Sequence, residues 1–390
     1  MWVSRNLALT WQLTEVHGWG LVGVHTALYL VEIGRPPLLL HKPEPSSLRP
    51  ENRERLDCLM DGFRQISAIA QRRWPHMLML EGCTVLHALS NGMQPGPLSS
   101  VYRGERNVGV IAFEDTGFDE GVLRRARSYD RLVVHSTYNK ALLAEQGLDD
   151  VGCALQGVAP DELPRLEPVK PFGDRFVVFS GGKLEFRKGQ DIVIAAFRRF
   201  HERHPDALLL TAWHNPWPGT SADVAQSPWT PTAPETGPDG RLAIAAWAAS
   251  HGMPADAFVD LGFLSRGQIA AVLAECHAAL FPNRCEGATN LVAMEAMACG
   301  VPVILSANTG HLDLIREGTC YPLADQPPVA DPEGRRRGWG ESSVEEIMET
   351  LERIYTDRAA ARDRGERGAA FIRGERTWRA FARDFVAAVD

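Results

Sequence analysis

The chain has 390 residues, enough for two domains of ordinary size, and its 45% hydrophobic and 23% charged content is that of a globular protein. A formal net charge of -8 argues against a general nucleic-acid binder, which carries a strongly basic face. No apolar run reaches the roughly 18 residues of a membrane-spanning helix, and the N-terminus lacks the signal-peptide pattern. The seven cysteines (58, 83, 153, 276, 285, 299 and 320) are an odd number without metal-ligand spacing, which suggests reduced thiols. A cytoplasmic protein is expected, with peripheral contact at the inner membrane face left open.

Apolar strand-like runs alternate with helical patterns, which predicts parallel sheets covered by helices. Residues 7–13 read as a first strand, followed by a glycine turn (Gly18-Trp-Gly20 to Gly23) and a helix over 22–33. A short strand over 37–40 leads into a polar loop over 42–54. Strands are predicted near 77–80, 84–89, 108–113 and 131–135, then a helix over 137–146 and a strand over 151–156. Pro160, Pro164, Pro168 and Pro171 mark a linker. A second alternation follows: strand 176–179, helix 189–203, strand 207–212, a long loop over 214–238, helix 240–251, strand 258–261, helix 266–275 and strand 278–281. A polar connector over 335–340 precedes two closing helices, 342–355 and 357–388. The predicted division is a first Rossmann-like domain over 1–160, a linker over 161–172, a second over 173–372 and a terminal helix over 373–390 that crosses back. Two doubly wound α/β domains facing across a cleft is the economical architecture.

Two segments carry the chemistry. The first, Ser180-Gly-Gly-Lys-Leu-Glu-Phe-Arg-Lys-Gly-Gln190, lies between a strand and a helix. It places Lys183, Arg187 and Lys188 on one loop, suited to a diphosphate, although such a turn by itself is more often a solvated loop. The second runs from Pro282 to Ile304 and sets Glu286 and Glu295 around a helix start, where unpaired N–H groups and the dipole favour an anion. On composition alone it also fits an amphipathic helix with Leu291, Met294 and Met297 in the core.

Together these blocks resemble the C-terminal half of retaining glycosyltransferases of GT-B architecture, glycosyltransferase family 4 in particular. The matching residues are Gly182-Lys-Leu with Lys188-Gly189, Leu261-Gly-Phe-Leu, and Glu286-Gly287 with Glu295-Ala-Met-Ala-Cys-Gly-Val-Pro-Val303. The first half matches more faintly, through the glycine turn, Tyr129-Asp-Arg-Leu-Val-Val-His-Ser-Thr137 and Gln156-Gly-Val158.

The resemblance implies a hexosyl-type transferase that uses a nucleotide diphosphate sugar as donor substrate, with no cofactor and no metal. It places Lys183 and Lys188, with Gly182, on the donor diphosphate, Glu286 beside the transferring sugar and Glu295 on the nucleotide ribose. Backbone groups at Asn290, Leu291 and Val292 would face the phosphates, with Gly20 approaching from across the cleft. This chain has eight residues between the glutamates, where the family has seven. It also has no histidine at the end of strand 108–113, where the family commonly carries one. His87 and His17 are substitutes by position, Glu114 and Asp115 are acceptor-side candidates, Trp19 is a stacking surface, and His311 is near the sugar. The Trp213-His-Asn-Pro-Trp217 segment is weighed as either base contact or loop packing. The acceptor stays open among glycan, lipid-linked and protein hydroxyls. A catalytically inactive nucleotide-sugar-binding or partner scaffold, and a phosphorylase or epimerase on the same architecture, are the rival readings.

Overall fold

The computed structural model describes residues 6–390. Its first domain starts with strand β1 (Asn6–Leu9), helix α1 (Gly18–Glu32) and β2 (Leu38–Leu39). Helices α2 (Pro50–Leu56) and α3 (Met60–Arg73) follow, then β3 (Leu78–Ser90), β4 (Gln94–Pro95) and β5 (Tyr102–Ile111). Helix α4 (Glu120–Ala126), β6 (Arg131–Val134), α5 (Thr137–Glu145) and β7 (Val151–Cys153) complete it. The sheet order is β2-β1-β3-β5-β6-β7, parallel throughout, with β4 antiparallel to β3.

The second domain runs β8 (Phe176–Gly181), α6 (Gln190–His201), β9 (Ala207–Ala212), α7 (Ile244–Ser250), β10 (Phe258–Asp260) and α8 (Arg266–Ala274). It continues with β11 (Ala278–Phe281), α9 (Leu291–Ala298), β12 (Val303–Ser306), β13 (Tyr321–Leu323), α10 (Val344–Thr356) and α11 (Arg358–Glu375). Its parallel order, β10-β9-β8-β11-β12-β13, reverses direction between β8 and β11. The first sheet reverses between β1 and β3. Ligands bind at the carboxyl ends of strands at such reversals, so both domains direct a switch point at one cleft.

Several elements differ from the sequence reading, each for a local reason. The glycine turn belongs to α1, which starts at Gly18 because the His17 ring accepts the Gly20 N–H at 3.1 Å and caps it. Gly20 and Gly23 are there for close packing. A Cβ on Gly20 would lie 2.1 Å from the Thr14 carbonyl oxygen, and one on Gly23 would lie 2.6 Å from the Trp11 indole nitrogen. The predicted loop over 42–54 contains the start of α2, with Pro50 in its first turn. The two strands predicted near 77–80 and 84–89 are one, β3, with a register shift between Leu80 and Thr84.

The closing helix over 357–388 is two helices. Thr377 caps α12 (Trp378–Val389) by accepting the Ala380 N–H, and the main chain of Val158 bridges Arg376 and Trp378. Gly157 makes that bridge possible, since a Cβ there would stand 2.2 Å from Thr377. Helix α12 then packs into the first-domain core through Phe381, Phe385 and Val389, with Trp378 stacked on His25 at 4.7 Å. Among the described residues no helix is long and apolar enough to cross a membrane.

Candidate functional site in the interdomain cleft

A cleft of about 780 Å³ opens between the carboxyl ends of the two sheets. It is lined by all of the sequence-selected residues except Gly20, His87 and His311. On the second-domain side, β8 ends in Gly181 and the chain turns at Gly182, whose φ of 116° suits glycine alone. The loop then delivers Lys183, Arg187 and Lys188 before Gly189 (φ 69°) starts α6. Gly189 is pressed against Pro282, where a Cβ would sit 2.3 Å from the carbonyl oxygen, so the two chemical segments are in contact.

Glu286 is the focus of that contact. Lys188 Nζ donates to Glu286 Oε1 at 2.5 Å, Asn283 Nδ2 donates to the same oxygen, and Arg187 Nη1 reaches Oε2 at 3.2 Å. Its backbone is fixed as well, by Thr309 Oγ1 on the amide and the Gly310 N–H on the carbonyl. Burial alone would raise the Glu286 carboxyl. Lys188 and Arg187 outweigh burial and hold it at about 2. Arg187 also pairs with Glu185 at 2.9 Å and lies 3.5 Å from Glu114 of the first domain. Lys183 pairs with Glu185 at 2.8 Å and stands over the Trp217 ring at 5.0 Å.

With eight residues between them, both glutamates line the cleft. Gly287 lies against Phe113 of the first domain, with a projected Cβ 2.4 Å from its carbonyl oxygen, and the Ser136 hydroxyl donates to the Gly287 carbonyl at 2.7 Å. Asn290 then caps α9 by accepting the Ala293 N–H. The first-turn residues Leu291 and Val292 line the cleft, and helix starts leave such N–H groups without intrahelical partners. Glu295, one turn further on, is paired with Arg266.

His311 sits behind this wall. It accepts from Asn290 Nδ2 at Nε2 (3.1 Å) and meets the Ser306 hydroxyl at Nδ1 (2.9 Å), which leaves the proton on Nδ1. Burial lowers its pKa to about 4. It orients the α9 cap and lies outside the cleft lining. His87 is a core residue, held between Ser99 Oγ at 2.9 Å and Asn107 Oδ1 at 3.0 Å, and burial lowers it to about 4 as well. The Gly20 N–H is taken by His17, so the structure gives Gly20 a packing part only.

The first-domain wall carries rings and three carboxylates, Glu15, Glu114 and Asp115. Trp19 lies edge-on to Trp11 at 5.9 Å and to His135 at 6.1 Å. His17 faces Trp217 across the cleft at 5.7 Å. Asp115 is bound by Arg335, and the Glu114 carbonyl accepts from the Trp339 indole at 3.0 Å. The 335–340 connector is therefore an interdomain strap, and Arg335, Arg336 and Trp339 line the cleft. In the 213–217 segment Trp213 is fully buried and packs, while His214 and Trp217 reach the cleft beside the exposed Phe263. Sequence reasoning assigned Arg187 only as loop charge and missed Arg266. Its signal was confined to a position just after the Leu261–Leu264 block.

Comparison with known proteins follows the same division. Residues 165–331 match the family model described as "Glycosyl transferases group 1". The GDP-mannose-dependent alpha-(1-6)-phosphatidylinositol monomannoside mannosyltransferase of Mycolicibacterium smegmatis is 26% identical over 229 residues, covering 57% of this chain. That match spans 53% of the relative's length. Among solved structures, sucrose-phosphate synthase from Thermosynechococcus elongatus superposes with a TM-score of 0.64 at 17% identity, covering 98% of this chain and 97% of that one. Anabaena Alr3699/HepE in complex with UDP-glucose gives 0.62 at 12% identity, covering 98% of both chains. A glycosyltransferase from Rickettsia africae gives 0.65 at 12% identity, with 100% and 98% covered. These likenesses span both domains, and the fold is GT-B.

Proposed function

With residues 165–331 matching the glycosyl transferases group 1 family model, we propose that the chain is a glycosyltransferase that moves a hexosyl group from a nucleotide diphosphate sugar to an acceptor hydroxyl. The observation that carries this reading is the cluster of Lys188, Arg187 and Glu286 at the amino end of α9, on the cleft wall at a sheet switch point. The donor's diphosphate would lie against Lys188, Arg187 and the first turn of α9. Those groups offset the negative charge that grows on the leaving phosphate as the sugar C1–oxygen bond breaks. No divalent ion and no cofactor enters this scheme.

Retention of configuration is part of the proposal. The acceptor oxygen forms its bond to C1 on the face the phosphate leaves, and the acceptor proton passes to the departing phosphate oxygen, so that nucleoside diphosphate is released. Glu286, ionised and gripped by two cations, is suited to hold sugar hydroxyls in place. Glu295 takes the ribose, and the exposed ring of Phe263 beside His214 offers the base an aromatic edge. The relative uses GDP-mannose and HepE was solved with UDP-glucose, which makes guanine and uracil donors the first to test. A cytoplasmic location and an acceptor presented by a glycan, lipid carrier or protein complete the proposal.

A second reading, a binding scaffold without turnover, is favoured by one observation: Arg266 already engages the Glu295 carboxylate. Release of nucleoside diphosphate from a panel of nucleotide sugars separates the two. Transfer predicts release with at least one donor and its loss in Lys188→Ala. Donor binding without release from any of them would favour the scaffold.

A further inference from the structure

The surroundings of Glu295 carry an inference that rests on the glycosyltransferase reading. Arg266, the first residue of α8, donates from Nη1 to Glu295 Oε1, and its Nη2 stands 3.5 Å from Glu162 Oε2. Glu162 accepts from Arg49 Nη2 at 2.5 Å. The Arg49 backbone N–H donates to Glu15 Oε2 at 3.1 Å, and Asn52 Nδ2 donates to Glu15 Oε1 at 2.6 Å. An alternating row, Glu295–Arg266–Glu162–Arg49–Glu15, thus runs from α9 through the interdomain linker into the first domain. Glu15, Glu162 and Arg266 are all buried, with side chains at most 10% exposed. A buried charge row of this kind is kept only where each member is paired, because a lone buried charge is expensive.

The start of α8 is held for this contact. Ser265 and Gln268 form a capping box that fixes the first turn, and Arg266 is the residue that follows the cap. Among the described residues, Arg266 is the one group that bonds the Glu295 carboxylate, and it does so through a single oxygen. A carboxylate has two acceptor oxygens, so Oε2 is left for a ligand. Glu295, Arg266 and Glu15 all line the cleft.

We infer that Arg266 is the positioning residue of the ribose site: it occupies Oε1 of Glu295, turns Oε2 to the cleft, and ties that carboxylate to the first domain through Glu162 and Arg49. The donor nucleotide is then read through one ribose hydroxyl instead of both.

The experiment is calorimetric titration of GDP and UDP, with their 2′-deoxy and 3′-deoxy forms, into the wild-type chain, Arg266→Lys and Arg266→Gln. The wild-type chain is expected to bind one deoxy form about tenfold more weakly, the loss of roughly one hydrogen bond, and the other almost unchanged. Arg266→Lys keeps that ratio. Arg266→Gln frees Oε1, and its two deoxy forms become equal within about twofold. Retained binding of inorganic pyrophosphate by Arg266→Gln shows that the variant is folded. Equal penalties for both deoxy forms in the wild-type chain, or an unchanged ratio in Arg266→Gln, would overturn the role of Arg266 alone. Failure of the wild-type chain to bind GDP, UDP, ADP, CDP or dTDP would instead remove the glycosyltransferase reading, and this inference with it.

Discussion

The two walls of the cleft are made of different chemistry. On the second-domain wall, Lys183, Arg187, Lys188, Glu185 and Glu286 touch one another within one loop and one helix start. The first-domain wall presents the rings of His17, Trp19 and His135, and of its carboxylates Asp115 is already held by Arg335 and Glu15 by Asn52 and the Arg49 backbone. Burial lowers both of these histidines, His135 to about 4, so neither ring is charged near neutral pH. The lysines and arginines that line the cleft therefore all come from the second-domain side. The other side supplies shape and aromatic surface.

The largest effect should come from the charged wall. Lys188→Ala is expected to lower kcat/KM for donor turnover by about 10²- to 10³-fold, the scale of removing one group that stabilises developing charge. Glu286→Gln should fall in the same range, because it also strips Lys188 of its buried partner. Steady-state release of nucleoside diphosphate measures both. Losses below fivefold would erase the distinction between the walls.

The same contrast decided what the sequence disclosed. On the second-domain wall the chemistry lies in contiguous blocks, since Lys183 to Lys188 and Glu286 to Glu295 each span a single turn or helix start. Local spacing was enough to find them. First-domain residues reach the cleft from separate loops, so His87 looked equivalent to His17 although it points into the core between Ser99 and Asn107. Glycines at 18, 20 and 23 read as a turn because a helix packed hard against Thr14 and Trp11 leaves the same signature as a loop. Arg266 could not be recognised because its partners come from positions 162 and 295, brought together only by the fold.

A smaller effect should follow on the aromatic wall. Trp19→Ala is expected to raise KM for the acceptor about tenfold while leaving nucleoside diphosphate affinity within twofold, in line with the loss of a stacking surface. Separate titrations of donor and acceptor would show it. A donor defect of equal size would place Trp19 on the other side of the division.

Two histidines outside the cleft give a pH test that leaves it untouched. His87 and His277 carry pKa values lowered to about 4 from 6.5, chiefly by burial. The unfolded chain binds more protons than the folded one between those values, so stability falls as pH drops from about 6.5 to about 4. Each such histidine contributes a slope of up to about 1.4 kcal/mol per pH unit. His87→Gln should flatten the denaturation profile in that window without changing turnover at pH 7.5. Lost turnover with an unchanged profile would put His87 in the site.

Least of all should come from the strap. Asp115→Asn breaks the pair with Arg335, which is 53% exposed, so a thermal melt should show Tm moving by no more than about a few degrees.

The central claim is that the donor's diphosphate binds at the start of α9, and a crystal structure with a bound nucleoside diphosphate tests it most directly. The terminal phosphate should lie within hydrogen-bond distance of Lys188 Nζ and of the Leu291 or Val292 N–H. Phosphates seated instead on the first-domain wall at His17 and Trp19, with Lys188 still paired only to Glu286, would contradict it.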